Sequence, residues 1–527
     1  MGRWDDGTMQ RFFLISLKDL FCIFHPNSLS NLRKNTIFAV MNENLMKIEK
    51  GDNVKRSLKG VWVRVFACMC VWFLWGMSAE AAGVPREAYP GGRCHLFRLQ
   101  LKDKAGTPFN LKHPEAYLSA KALERRARQN LKVDSTDLPL SPVYLERIRE
   151  TGLRIVSQSK WNNTVLVATP MKDDEHRLRA LPFVERVTHV FSSPDSIIPS
   201  KRDVLFPEPQ LPDSAVKNPY GKADTQIEML NGMKLHEAGF RGKGITIVVT
   251  DGGFMNADVI PLLRKVNVVA TRDFVYPASD DFFGELDHGT EVLSTMAMNE
   301  PNLFVGTAPE ADYILARTED GRSESGAEED FWVAAAEYAD SIGADVINAS
   351  LGYHNFDGNL GNYKYADLDG RTSHSSRAAS LLAGKGIVFV TSAGNDGMGA
   401  WKKIGVPGDA DGVLAVGAVT EKRVNTAFSS VGPSADGRVK PDVMAMGAHS
   451  AVVNGRGKVV NANGTSFSSP ITCGMVACLW QALPHKTAAE IMDLVRASAD
   501  RFEKPDNIYG YGIPDFWKAY KLGGGTE

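Results

Sequence analysis

Cysteine is scarce, six in 527 residues, and its placement excludes a disulfide framework. Cys22, Cys68 and Cys70 crowd toward the N-terminus, Cys94 stands alone, and Cys473 and Cys478 sit five apart in an apolar run. On a helix that spacing turns the last two about 140° from each other, at about 100° per residue, so they read as small buried hydrophobes. An excess of one charge is also missing. A net charge of −2 gives no electrostatic case for nucleic acid or a membrane surface as a partner. No zinc-type ligand spacing, phosphate loop or fixed-period repeat occurs. The strongest apolar stretch, Val61 to Met77, is broken by Arg64 and is too short for a good transmembrane helix. What remains is an ordinary globular composition, 43% apolar and 23% charged, on a chain long enough for more than one domain.

That short apolar stretch carries an address. Lys55, Arg56 and Lys59 precede it and Ala79-Glu80-Ala81-Ala82 follows, the charged, apolar and small-residue order of a secretory signal. The expectation is export, to an extracellular or periplasmic site, with no stable membrane insertion once the signal is removed; an uncleaved anchor is the alternative. Met41 and Met46 are more usual starts for such a signal, so residues 1–45 read as a gene-model extension or disordered leader, and 46–82 as the signal region.

Residues 90–191 read as a small α+β unit. Strands are expected at His95 to Leu101, Leu153 to Val156, Val165 to Ala168 and Val184 to Phe191. Helices are expected at Tyr117 to Gln129, which is basic, from Pro142 to Thr151, and from about Lys172 to Leu181. Together they predict a small sheet with helices on one face. A proline-rich linker follows over 192–224, with Pro194, Pro199, Pro207, Pro209, Pro212 and Pro219. Such a stretch stays extended and accessible.

Chemistry concentrates in 225–522. Asn463-Gly464-Thr465-Ser466-Phe467-Ser468-Ser469-Pro470 delivers Ser466 to the first turn of an apolar helix. There, unpaired N–H groups and the helix dipole favour developing negative charge. A serine hydroxyl needs a base to become a nucleophile; without one, the segment is only a capped helix start. Ile245 to Thr250 is a β-branched run that ends in Asp251-Gly252-Gly253, the pattern of a buried parallel strand carrying a carboxylate to its C-terminal end, where open α/β sheets place their sites. Asp287-His288-Gly289-Thr290-Glu291-Val292 opens a helix with a histidine that could act as general base, its tautomer fixed by a carboxylate. Ile387 to Thr391 leads into Ser392-Ala393-Gly394-Asn395. A fixed amide there can donate to an oxyanion, or merely form a turn.

Taken together, VVTDGG, DHGTEV, VINASLG, SAGN, FSSVGP and NGTSFSSP resemble the subtilisin-like serine proteases of the subtilase family, over about residues 225–520. The resemblance implies an α/β fold, a mostly parallel sheet with helices on both faces, preceded by a small α+β prodomain at 90–191. It implies Asp251, His288 and Ser466 as a triad, and Asn395 with the Ser466 N–H as the oxyanion hole. Ser350, Leu351 and Gly352 would be a strand edge that pairs with an extended peptide, and Ala393 and Gly394 the floor of an open specificity pocket. The implied activity is endopeptidase hydrolysis through an acyl-enzyme. The partners would be polypeptide substrates and the chain's own prodomain as intramolecular inhibitor, released by a cut in the linker. No cofactor is required; a structural calcium is left open, with no ligand cluster in the sequence to locate it.

Three departures stand out: Gly252 where a hydroxyl residue often supports the Asp, Glu291 where a second histidine is frequent, and Phe467 in the serine segment. Two rivals are an acid-acting relative with a Ser-Glu-Asp site, against which Asp287-His288-Gly289 argues, and a dead protease fold that only binds peptides. A docking module remains the alternative reading of the N-terminal unit.

Overall fold

Strands with apolar side chains on both faces must be covered on both faces, and this requirement organises the catalytic part. A seven-stranded, all-parallel sheet runs in the order β13-β12-β11-β10-β5-β9-β6. Its central members are β5 (Thr246–Asp251), β9 (Asp312–Arg317), β10 (Val346–Ala349) and β11 (Val388–Ser392); β6 (Asn267–Asp273) forms one edge, and β12 (Leu414–Val419) leads to β13 (Val443–Met446) at the other. Alternate side chains sort into two cores. Ile247, Val249, Val346, Val388 and Val390 face the helices His288–Ala297 and Thr465–Ala482, whereas Val248, Ile347 and Phe389 face the long helix Gly326–Ile342. Two small hairpins, β7–β8 (Asn299–Glu300, Phe304–Val305) and β14–β15 (Ser450–Val453, Val459–Ala462), flank the sheet.

The computed structural model describes residues 87–90, 92–197, 202 and 218–526. The expected extension, the signal region and most of the proline-rich linker, Pro199, Pro207, Pro209 and Pro212 included, lie outside the described residues. Among those described, no helix is long and apolar enough to cross a membrane. The described residues form one compact unit.

Within it, the N-terminal α+β part is a four-stranded antiparallel sheet of order β2-β3-β1-β4, built from β1 (His95–Leu101), β2 (Arg154–Ser159), β3 (Thr164–Thr169) and β4 (Val184–Ser192). Phe97, Leu99, Val165 and Val167 face a private core with Ile148 and Leu178 from the helices Pro142–Arg149 and Glu175–Arg179. Leu96, Leu166 and Ala168 face the other way and join Phe331 and Ala335 of the long helix in the catalytic core. The Glu337 carboxylate on that helix accepts from Ser159 Oγ (2.6 Å), Lys160 N and Trp161 N (both 2.9 Å).

The basic helix departs from expectation. It starts at Ala120, where the Ser119 side chain caps it by accepting from Ala122 N, and ends at Arg128. It does not cover the small sheet. Its Arg125 and Arg126 reach the catalytic part and pair with Asp340, so opposite charge drew it away from the apolar face it was expected to share.

Candidate active site

The strand order reverses between β5 and β10, and the crevice beyond the C-terminal ends of such strands is where open α/β sheets bind ligands. Two of the four singled-out side chains, Asp251 and Asn395, enter from those ends or just past them, and His288 and Ser466 come from helix starts. Asp251 ends β5, buried, and both its carboxylate oxygens lie 2.9 Å from His288 Nδ1. Because a carboxylate only accepts, Nδ1 carries the proton, and in the neutral ring Nε2 is the basic nitrogen. Gly252 has no hydroxyl to offer, and its backbone N–H donates to Asp251 Oδ1 at 2.8 Å.

His288 opens the helix His288–Ala297, and Gly289 explains how that helix comes so close to the aspartate strand. A Cβ at 289 would lie 2.4 Å from Gly253 O and 2.9 Å from Asp251 Cβ, well inside contact distance, and Gly289 N donates to Gly253 O at 2.9 Å. Burial alone would pull the imidazole down. The Asp251 charge and hydrogen bond outweigh it, Glu291 and Asp287 add to them, and its pKa is raised to about 9. Glu291 itself is pushed up to about 7, by burial first and then by the Asp287 charge.

Ser466 is the second residue of the helix Thr465–Ala482. Gly464 before it adopts φ +154°, a conformation that side-chain-bearing residues rarely take. Pro470, four residues on, has no N–H, so the Ser466 carbonyl loses its helical donor; Ser350 Oγ supplies one at 2.8 Å. Ser350 Oγ in turn accepts from Asn348 Nδ2 (3.1 Å), and Asn348 Oδ1 accepts from Ser469 Oγ (2.9 Å). Ser468 Oγ is spent on Thr465 O. Both neighbouring hydroxyls are therefore buried and engaged, while Ser466 Oγ makes one long contact, 3.5 Å, to Ser350 O. The structure does not join Ser466 to the imidazole by a hydrogen bond; the ring of Phe467, the next residue, lies 6.0 Å from that of His288.

Asn395 follows β11. Its Oδ1 accepts from both Thr465 N and Thr465 Oγ1, each at 2.9 Å, which leaves the amide NH₂ turned toward Gly464. The Ser466 N–H, at the helix start, has no acceptor among the described residues. Gly394, at φ +106°, has no room for a Cβ beside Ser430 Oγ (2.9 Å), and Ala393 is buried. Gly352 is exposed and makes no backbone hydrogen bond among the described residues, as a strand edge awaiting a partner would. Beside Leu351 and Gly352 opens a cavity of about 340 Å³, lined by Glu319, Asp320, Glu324, Glu328 and Tyr353. Sequence reading missed Thr465 and Asn348 as supports; the Thr beside Ser466 was visible, but its partner seventy residues away was not.

Residues 242–512 match the family model of the subtilase family, and 97–202 match that of the Peptidase S8 propeptide domain, Bacteroidota. The chain belongs to the subtilase family. It is a subtilisin-like serine peptidase with a propeptide domain ahead of the catalytic part. Among similar proteins, subtilisin DY of Bacillus licheniformis is 28% identical over 297 residues, 56% of this chain and 96% of that one. The serine protease AprX of Bacillus subtilis (strain 168) is 25% identical over 304 residues, 51% of this chain and 65% of AprX. The intracellular serine protease of Paenibacillus polymyxa is 28% identical over 251 residues, 46% of this chain and 68% of that protein.

Proposed function

We propose that this subtilase is an exported endopeptidase that hydrolyses peptide bonds through an acyl-enzyme. His288 Nε2 takes the proton of Ser466 Oγ as that oxygen attacks the scissile carbonyl. Asp251 holds the imidazole in the required tautomer and stabilises the imidazolium. The carbonyl oxygen, now negative, is met by the Asn395 amide and the Ser466 N–H. The imidazolium then protonates the leaving amine, and water repeats the sequence to free the acid. The observation that carries this reading is the grip of both Asp251 oxygens on His288 Nδ1 at 2.9 Å. A nucleophile–base contact is often long in a resting site and tightens with substrate, which suits the loosely held Ser466 hydroxyl.

The substrate is an extended stretch of polypeptide that pairs with Ser350, Leu351 and Gly352, with a large apolar side chain over Ala393 and Gly394. The propeptide domain acts as intramolecular inhibitor until the linker is cut. Export rests on the signal pattern at 46–82. No cofactor takes part in the reaction. Among the described residues no group of three or more His, Cys, Asp or Glu is arranged to hold a metal, and no step of the reaction runs through one.

The test is labelling with a fluorophosphonate, alongside peptide hydrolysis. The unaltered chain, once processed, is labelled and active; Ser466→Ala keeps its fold and loses both. Labelling that persists in Ser466→Ala assigns the wrong serine.

A further inference from the structure

Residues 107–140, inserted between β1 and the helix Pro142–Arg149, carry the basic helix Ala120–Arg128 away from the propeptide sheet. They run to the far end of the catalytic sheet and finish its chain ends. Lys121 Nζ donates to Thr246 Oγ1 at 2.6 Å. The Arg125 guanidinium donates to the carbonyls of Ala344, Lys385 and Asp340, which lie at the approaches to β10 and β11 and in the last turn of the long helix. Gln129 Nε2 donates to Gly386 O at 2.9 Å, while its Oε1 accepts from Ala488 N at 2.8 Å, capping the helix Ala488–Ser498. These are groups that a free-standing domain satisfies from its own chain.

The charges tell the same story. Asp340 is fully buried, and among the described residues its paired cations are Arg125 and Arg126 alone. Lys385 is 2% exposed and, among the described residues, pairs only with Asp134 and Asp137. Arg126 also forks onto Asp137, at 2.9 and 3.0 Å, closing a network in which each catalytic-part charge is answered from residues 107–140. The contact lies away from the candidate cleft: Thr246 and Asp251 are opposite ends of β5, about 17 Å apart at strand rise.

We infer that residues 107–140 are a clamp that keeps the propeptide domain as a lasting, non-covalent subunit of the processed protease, held independently of any segment that blocks the cleft. Cutting the linker then yields a two-chain protein. The inference rests on the reading that the linker is cut, so its test makes the cut from outside.

The full chain is produced as Ser466→Ala with a site for a sequence-specific protease placed within 203–217. After cleavage, size-exclusion chromatography and native mass spectrometry follow the two pieces, and dilution gives the dissociation rate. The pieces are expected to travel one to one. Arg126→Ala should speed dissociation roughly a hundredfold or more, as loss of one member of a buried charge network does; Arg126→Lys should recover part of it. Moving the cut back to follow Asp195, which frees the tail, should change the rate less than about tenfold. Should Arg126→Ala not fold, Gln129→Ala reads the same rate with a smaller acceleration. Prompt separation of the unaltered pieces overturns the inference. So does a complex indifferent to these clamp variants but released by the shorter cut. Neither outcome depends on which serine, if any, is catalytic.

Discussion

Ser350 and Ser466, 116 positions apart, are joined at both ends: the Ser350 hydroxyl donates to the Ser466 carbonyl at 2.8 Å, and the Ser466 hydroxyl lies 3.5 Å from the Ser350 carbonyl. The first bond exists because Pro470 removed the helical donor. Ser350→Ala leaves a buried carbonyl unsatisfied, at a cost of about 1 to 3 kcal/mol, and loosens the turn that presents Ser466. The expected outcome is a lower thermal midpoint together with a fall in kcat larger than the change in KM. A variant with unchanged kcat would deny Ser350 this supporting role.

Asn395 is held by Thr465 through its oxygen, so its amide nitrogen is free to donate. Asn395→Ala should lower kcat by about 10² to 10³ with KM little altered, because the bond forms only as the oxyanion develops. Thr465→Val, which loses the side-chain half of the grip, should give a smaller loss of the same kind. Steady-state kinetics on a short peptide substrate decide between them.

The pH dependence follows from His288. Its pKa is raised to about 9, the Asp251 interaction overcoming burial. A general base works only when neutral, so activity should climb as pH rises through about 9 and fall away below it. Glu291, pushed up to about 7, is ionised across that range and helps hold the proton on the ring. Glu291→Gln should therefore move the acid limb of kcat/KM to lower pH. A limb that stays in place means Glu291 does not act on His288.

Gly289→Ala tests the approach of the histidine helix to the aspartate strand. Its new methyl would meet backbone and Asp251 Cβ at 2.4 and 2.9 Å, atoms that cannot swing aside, so overpacking should cost about 1 to 3 kcal/mol. Activity should fall further than stability, since the shift lengthens the His288–Asp251 contact. Thermal unfolding and kcat measured on the same preparation separate the two effects.

Much of this was legible beforehand for local reasons. β5, β10 and β11 are short, β-branched and apolar on both faces, and each runs into a glycine-marked segment that carries a polar side chain. That pattern fixes strand, direction and the end where chemistry sits. The supports were not legible, because each needs a partner far away in the chain: Asn348 with Ser469, Thr465 with Asn395, Pro470 with Ser350. The basic helix was placed on the wrong surface because its sequence marks it only as basic; which surface buries it was decided by Asp340, more than two hundred residues downstream.

Cys473 and Cys478, on the same helix as Ser466, are fully buried, and burial pushes both thiols far above their ordinary range. Neither can readily form the thiolate that oxidants and exchange partners attack. Among the described residues all three cysteines, Cys94 included, are free thiols, so no disulfide contributes to this fold. The described fold therefore offers a reductant no disulfide to cleave.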